Sequence, residues 1–578
     1  MRMNVLDGAV KPSGRLGPGL RRDDGGVFLM AALLIMSCTE KAAPTGSGSS
    51  VSNKPKRTLD KAPRIPGIGL RKLDADTSEL RMSPDGKTAT VLVDAAKPRA
   101  EGIPPQMRAG ALWAVPTGAG KATAVATGVT NMPGSVYFSA DSRWLLTLGA
   151  FNILNQYGDL YAKDTTAPES EPVKLGSQVS YMLTSPDSRS VAFVEDGVLK
   201  LGELPIGPFR QLAGEVTTAE FSPDGEFVYF KRRYSAAGGL LQVKLSDTRA
   251  TPKKVNDQVG DYVATKNGKV LYLARKTPGT PTFELFIADA KTLDSTRISG
   301  DTTLFAVTAD GQWLTWLEGL DPTARGGTLW YKKLPAGEPI KLAEGVKDFE
   351  FTPDSSTLIY RARFEELQLI GTPLEAQRTE KVGALHLLTL ATGADRLIQK
   401  RSPNYLLSPD GKYLAYTARI ERPEISRHLF LLNLAQGEPV KLQAWLYEYD
   451  FTPDSSRLLW RADCIRDGRA CNIFMQDVAD AGKAPPKVVA KEVYRFKLSG
   501  DGKRLLTTYA HTMDEMFDVS VVDLASLQSK TVDQFVTLPV VFGDAAGQQV
   551  AYIVGEKGRK GVYEATVESL AAPVAPTP

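Results

Sequence analysis

The sequence predicts an all-β protein, a β-propeller of about eleven four-stranded blades, on three observations. A turn of the form Ser/Thr-Pro-Asp-Gly/Ser recurs along the chain. Its spacing stays mostly in the low-to-mid forties. Each copy leads into a short apolar run. A period of that length with short strands marks a radial array of small sheets.

The turn Asp or Asn stands at Asp85, Asp141, Asp187, Asp224, Asn267, Asp310, Asp354, Asp410, Asp454, Asp501 and, weakly, Asp544. Successive separations are 56, 46, 37, 43, 43, 44, 56, 44, 47 and 43. Proline pre-sets φ at the second turn position, Asp bonds nearby backbone N–H groups, and Gly accepts positive φ. Local geometry therefore accounts for these carboxylates without any ligand or acid/base role. Each turn joins an inner strand (Phe351, Phe451) to a second strand (Leu358-Ile359-Tyr360, Leu458-Leu459-Trp460). The second strands are apolar on both faces, as expected where every sheet is covered by a neighbour on each side. Third strands follow at Ala111–Trp113, Asp159–Tyr161, Thr328–Trp330, Leu385–Leu387, His428–Phe430 and Val519–Val521, and outer strands at Pro172–Leu175, Pro339–Leu342 and Pro439–Leu442.

Ahead of the array, Val27 to Met36 is a run of ten apolar residues behind Arg2, Lys11, Arg15, Arg21 and Arg22. It is too short to span a bilayer and reads as a secretory signal over residues 1–37. The Asp23-Asp24 pair and long leader fit a start codon further downstream. Thr39 to about Gly67 is rich in Gly, Ser and Pro, so residues 38–67 read as a flexible tether.

Two motifs carry a resemblance. Ile35-Met36-Ser37-Cys38 resembles a bacterial lipobox, with Ile where Leu is usual, which implies lipidation of Cys38. Thr39 in place of the retaining Asp implies the outer membrane, at its periplasmic face or the cell surface. From about residue 68 to 570, the Ser-Pro-Asp-Gly turns resemble the TolB-type and WD-like propeller repeats of bacterial envelope proteins. That resemblance implies fold, and partners among envelope proteins or cell-wall components, without transferring any site.

The orphan strand Leu70–Leu73, a missing last outer strand and two 56-residue spacings six units apart favour two tandem rings, six plus five, over a single large ring. The first would span 68–338, closing Leu70–Leu73 against Thr328–Leu334. The second would span 339–570, closing Pro339–Leu342 beside Val562–Val567, before a tail at 571–578. Residues 337–356 also match 437–456 at an offset of 100.

The chemistry-bearing residues are few. Hydrophobic residues make 42% and charged residues 24% of the 578, an ordinary globular composition. The net charge of +4 demands no nucleic-acid partner. Three histidines and three cysteines argue against a multi-histidine metal centre, and no cofactor or catalytic set is expected. His386 and His428 read as structural, and His511 lies in a polar loop. Cys464 and Cys471 flank a turn and are expected to form a disulfide, with free thiols or an incomplete metal pair as alternatives. No Gly-x-Ser-x-Gly elbow or phosphate-binding Gly-Lys-Ser/Thr loop occurs. Two longer segments, Ala95–Ala109 and Phe364–Lys381, are binding elements or tolerated insertions. The reading is a lipid-anchored, non-catalytic binding protein. The alternatives are a propeller enzyme (polysaccharide lyase or hydrolase) and a small-ligand sensor.

Overall fold

The computed structural model describes residues 69–97, 106–204, 207–232, 238–247, 249–275, 283–321, 326–368, 379–420, 426–435, 437–444, 446–465, 470–510, 516–556 and 558–570. The signal, Cys38, the tether, His511 and the tail lie outside them. Among the described residues there are forty strands and two 3-10 turns, with no α-helix.

The first unit shows how the pattern becomes structure. Thr77–Met82, Thr88–Ala96, Ala109–Pro116 and Thr123–Thr130 pair in that order as one antiparallel sheet. Residues 88–93 of the second strand are buried on both faces, and the same holds at 144–149, 191–194 and 550–554. Burying a Val, Leu or Phe on either side contributes about 1.5–3 kcal/mol per side chain. A single sheet this thin cannot supply that cover alone.

The sheets are not a uniform set of four-stranded blades. Four have four strands, two have seven and one has ten. The physical reason is continuity of four strands: Val173–Thr184, Lys253–Ala264, Ser295–Val307 and Ser529–Phe542, 12 to 14 residues long. Each pairs with one neighbour through its first half and with another through its second. Val173–Val179 pairs with the strand Tyr157–Asp164, and Val179–Thr184 with Ser190–Glu195. An outer strand thus becomes the next inner strand without a break. The whole is an all-β fold of several antiparallel sheets.

The expected closures are not the ones observed. Leu70–Leu73 pairs antiparallel with Gly561–Thr566, not with Thr328–Leu334. Ile340–Val346 pairs with Gly326–Lys333, its own hairpin neighbour. A short local connection costs far less loop entropy than recruiting a strand from several hundred residues away, so that edge fills locally. Among the described residues no strand follows Gly561–Thr566, and the N-terminal strand pairs along its edge. One core cluster joins Leu80, Val91 and Val93 to Ala551, Ile553 and Val562. Another runs from Leu317 and Leu329 to Tyr360 and Leu388, across the expected 338/339 boundary.

Strand alternation sorts the connections between two faces. Turns from inner to second strand and from third to outer strand lie on one face. Hairpins from second to third strand lie on the other.

Candidate binding face

On the turn face the polar side chains serve the turns themselves. In each of the nine Asp-containing turns the Ser or Thr hydroxyl donates to the Asp Oδ1 at 2.5–2.8 Å. The same Oδ1 accepts the N–H two residues on at 2.9–3.2 Å. The hydroxyl oxygen accepts the N–H five residues on at 2.9–3.0 Å. One hydroxyl is donor and acceptor at once, so its single proton is committed to the turn. The Ser185 hydroxyl, above other influences, holds the Asp187 carboxyl below its ordinary pKa.

Neighbouring turns are stitched together. The Asp85 N–H donates to Ser142 Oγ at 2.9 Å, Asp410 N–H to Ser455 Oγ at 2.9 Å and Asp501 N–H to the Ala545 carbonyl at 2.8 Å. The first turn also meets the last: at Gly86 (φ +72°) a Cβ would lie 2.0 Å from the Gly543 carbonyl oxygen, so only glycine fits. The nine Asp residues Asp85, Asp141, Asp187, Asp224, Asp310, Asp354, Asp410, Asp454 and Asp501 therefore sit in separate turns.

The hairpin face is built differently. Phe364–Lys381, read as a loop, is strand at both its described ends: the second strand runs to Gln368 and the third starts at Thr379, paired through Gln368↔Thr379. The arm is held at its base. Phe364 lies under the Arg361 guanidinium (5.2 Å) and the Lys347 ammonium (4.8 Å). Arg401 Nε donates to Glu365 at 2.5 Å, and the buried Arg419 of the next sheet pairs with Glu380. The base of the first hairpin is held by Asn131, whose Oδ1 accepts the Arg108 N–H at 2.9 Å and whose Nδ2 donates to Glu79 at 3.0 Å.

Cys464 and Cys471 form the disulfide across the hairpin of Arg457–Ile465 and Ala470–Asp477. His386 Nδ1 lies 3.2 Å from Asp395, its ring stacked on Tyr360, whose hydroxyl donates to the same carboxylate at 2.8 Å. Burial pushes the Asp395 pKa up, but these hydrogen bonds leave it below the ordinary value. His428 is buried, and burial lowers its pKa. These two histidines lie on different sheets. Among the described residues no group of three or more His, Cys, Asp or Glu could hold a metal ion.

Two features escaped the sequence. A small polar cleft of about 330 Å³ is lined by Ser177, Gln178, Glu195, Asp196, Lys200 and Gln211. Glu220, on the inner strand Val216–Phe221, is pushed up to about 7 by burial, with the Asp261 charge adding to it. Its only sequence signal was a carboxylate between Ala219 and Phe221. The exposed large apolar side chains, Leu70, Leu154, Leu304, Ile340, Leu397, Tyr447, Ile465 and Val488, fall on separate elements.

The chain has similarity to solved structures at low identity. It matches a eukaryotic initiation factor at 11% identity, covering 72% of this chain and 94% of that one (TM-score 0.40). It matches tricorn protease at 13%, covering 79% of this chain and 48% of that one (TM-score 0.28), and so spans about half of that protein's length. For TolB from Acinetobacter baumannii the values are 13% identity, 53% and 79% coverage, and a TM-score of 0.22. No family model and no curated protein matches the chain.

Proposed function

We propose that the chain is a lipid-tethered, non-catalytic binding protein of the bacterial envelope, and that its partner, another protein or a cell-wall component, docks on the hairpin face. The observation that carries this is the asymmetry between the faces. The Ser, Thr and Asp side chains of the turn motifs are bound within the turns, whereas the hairpin face carries an ion-paired arm, residues 357–368 paired with 379–389, with Glu366 and Lys381 exposed. Elements projecting from a rigid scaffold are natural contact surfaces.

In this reading the sheets make eleven units in one ring. Counting each of the four continuous strands twice, the forty strands fill forty-four places, or eleven sets of four. The pairing of Leu70–Leu73 with Gly561–Thr566 and the shared terminal core support a single closure. As an outer strand, Leu70–Leu73 begins on the turn face. A tether from Cys38 would therefore join there, leaving the hairpin face directed away from the membrane.

The test is photo-crosslinking in cells, with the crosslinking side chain at Glu366 or Lys381 in one set and at Lys87 or Lys503 on the turn face in the other. One recurring adduct from the first set alone is the expected result. Adducts confined to the second set would reverse the assignment. Fatty-acid labelling lost in Cys38→Ser checks the anchor.

A further inference from the structure

We propose that the Cys464–Cys471 bridge is a site of thiol–disulfide exchange with an external dithiol, rather than an inert staple. Three observations converge on it. The sulfurs are unequally placed: Cys471 is fully buried, whereas Cys464 is partly exposed at the hairpin end, beside Ile465, which is 48% exposed. Next, Arg461, itself 7% exposed, directs Nη2 at Cys471 Sγ from 3.2 Å. A disulfide sulfur is a weak acceptor, but a thiolate at that position would gain a charge-assisted hydrogen bond. The third is a comparison within the chain. Arg361, 100 positions earlier and five residues beyond the segment repeated at that offset, pairs with Asp348 and donates to the Ser402 and Pro403 carbonyls. Arg461 keeps the acidic partner, Glu448 at 3.1 Å, but turns its other arm onto sulfur.

The step follows from this placement. A thiolate of the dithiol attacks the accessible Cys464 Sγ, and the S–S bond breaks with its electron pair leaving on Cys471 Sγ, beside the guanidinium. The dithiol's second thiol loses its proton to solvent and attacks its own sulfur in the mixed disulfide. Cys464 is released and takes a proton, so two electrons have passed from the dithiol to the bridge. A lower leaving-group pKa speeds the first attack. Among the described residues Glu448 and Asp463 also lie near, with Gln443 Nε2 3.5 Å from Asp463. Both carboxylates oppose thiolate formation, and the guanidinium acts against them.

The experiment uses the chain without its signal, treated with dithiothreitol under native conditions. Thiolate is followed by ultraviolet absorbance in the reduced protein, and exchange by alkylation with a mass tag. In the wild type one thiol should titrate below the usual value of about 8.5. Arg461→Met should raise that value and slow exchange on the order of tenfold, with Arg461→Lys restoring part of both. The intact bridge treated with a monothiol (2-mercaptoethanol), which has no second thiol to resolve the mixed disulfide, and quenched in acid should carry the adduct on Cys464, located by peptide mass spectrometry. An unchanged titration and rate in Arg461→Met would overturn the proposal, as would the adduct on Cys471 or a bridge that resists excess reductant. The position of the adduct in the wild type decides the matter even where Arg461→Met does not fold.

Discussion

The Ser or Thr that opens each turn carries more than its place in the motif suggests. Thr452, fully buried, donates to Asp454 at 2.6 Å and accepts the Arg457 N–H at 3.0 Å. Thr452→Ala removes both bonds at once, leaving the part-buried Arg457 N–H without this acceptor and Asp454 with only its bonds from Ser456. The expected cost is about 1–3 kcal/mol, read as a lower midpoint in chemical denaturation, with Asp454→Asn milder because the amide oxygen still accepts. Glu220 gives a pH dependence of opposite sign to an ordinary paired carboxylate. Its pKa is raised to about 7 in the folded chain, above the usual value near 4.5, so the folded state holds the proton more tightly. Its contribution therefore declines as pH rises from about 4.5 to about 7 and stays unfavourable above that. Glu220→Gln should raise the melting temperature at pH 8 and leave it little changed at pH 4, as followed by circular dichroism. Equal gains at both pH values would show that Glu220 titrates normally.

Among elements, the arm at 357–389 is the one whose form differs most from its sequence. Its length and mixed polarity read as a loop, yet the strands pair out to Gln368 and Thr379. The reason lies in groups distant in sequence: Arg401 and Arg419 supply charge to Glu365 and Glu380. Arg419→Ala should loosen the arm without dissolving the sheet. Hydrogen exchange at 379–383 is expected to rise, while exchange at 385–388 stays slow. If the arm is the contact element, crosslinking from Glu366 should fall in the same variant.

At the scale of the molecule the clasp is the critical joint. Lys72 and Glu564 are both nearly buried at 3.8 Å, and the Gly118 N–H donates to the same carboxylate at 2.9 Å. Deleting residues 70–73 should accelerate hydrogen exchange at Gly561–Thr566 and also at Thr88–Ala96, because these strands share one core. Two independent rings as read from the sequence would confine the change to residues 68–338 and leave exchange at Gly561–Thr566 unaltered.

The strands and their turns were legible in the chain because their determinants are local. A proline, an Asp and an apolar run within a dozen residues settle a hairpin wherever it sits, and two cysteines across a short turn can meet only one way. Tertiary structure alone decided the partner of Leu70–Leu73, the run of four strands from one sheet into the next, the rise in the Glu220 pKa and the aim of Arg461 at sulfur. Each depends on groups brought together from far along the chain, where backbone pairing is degenerate and burial, charge and loop entropy choose among edges that look alike in one dimension.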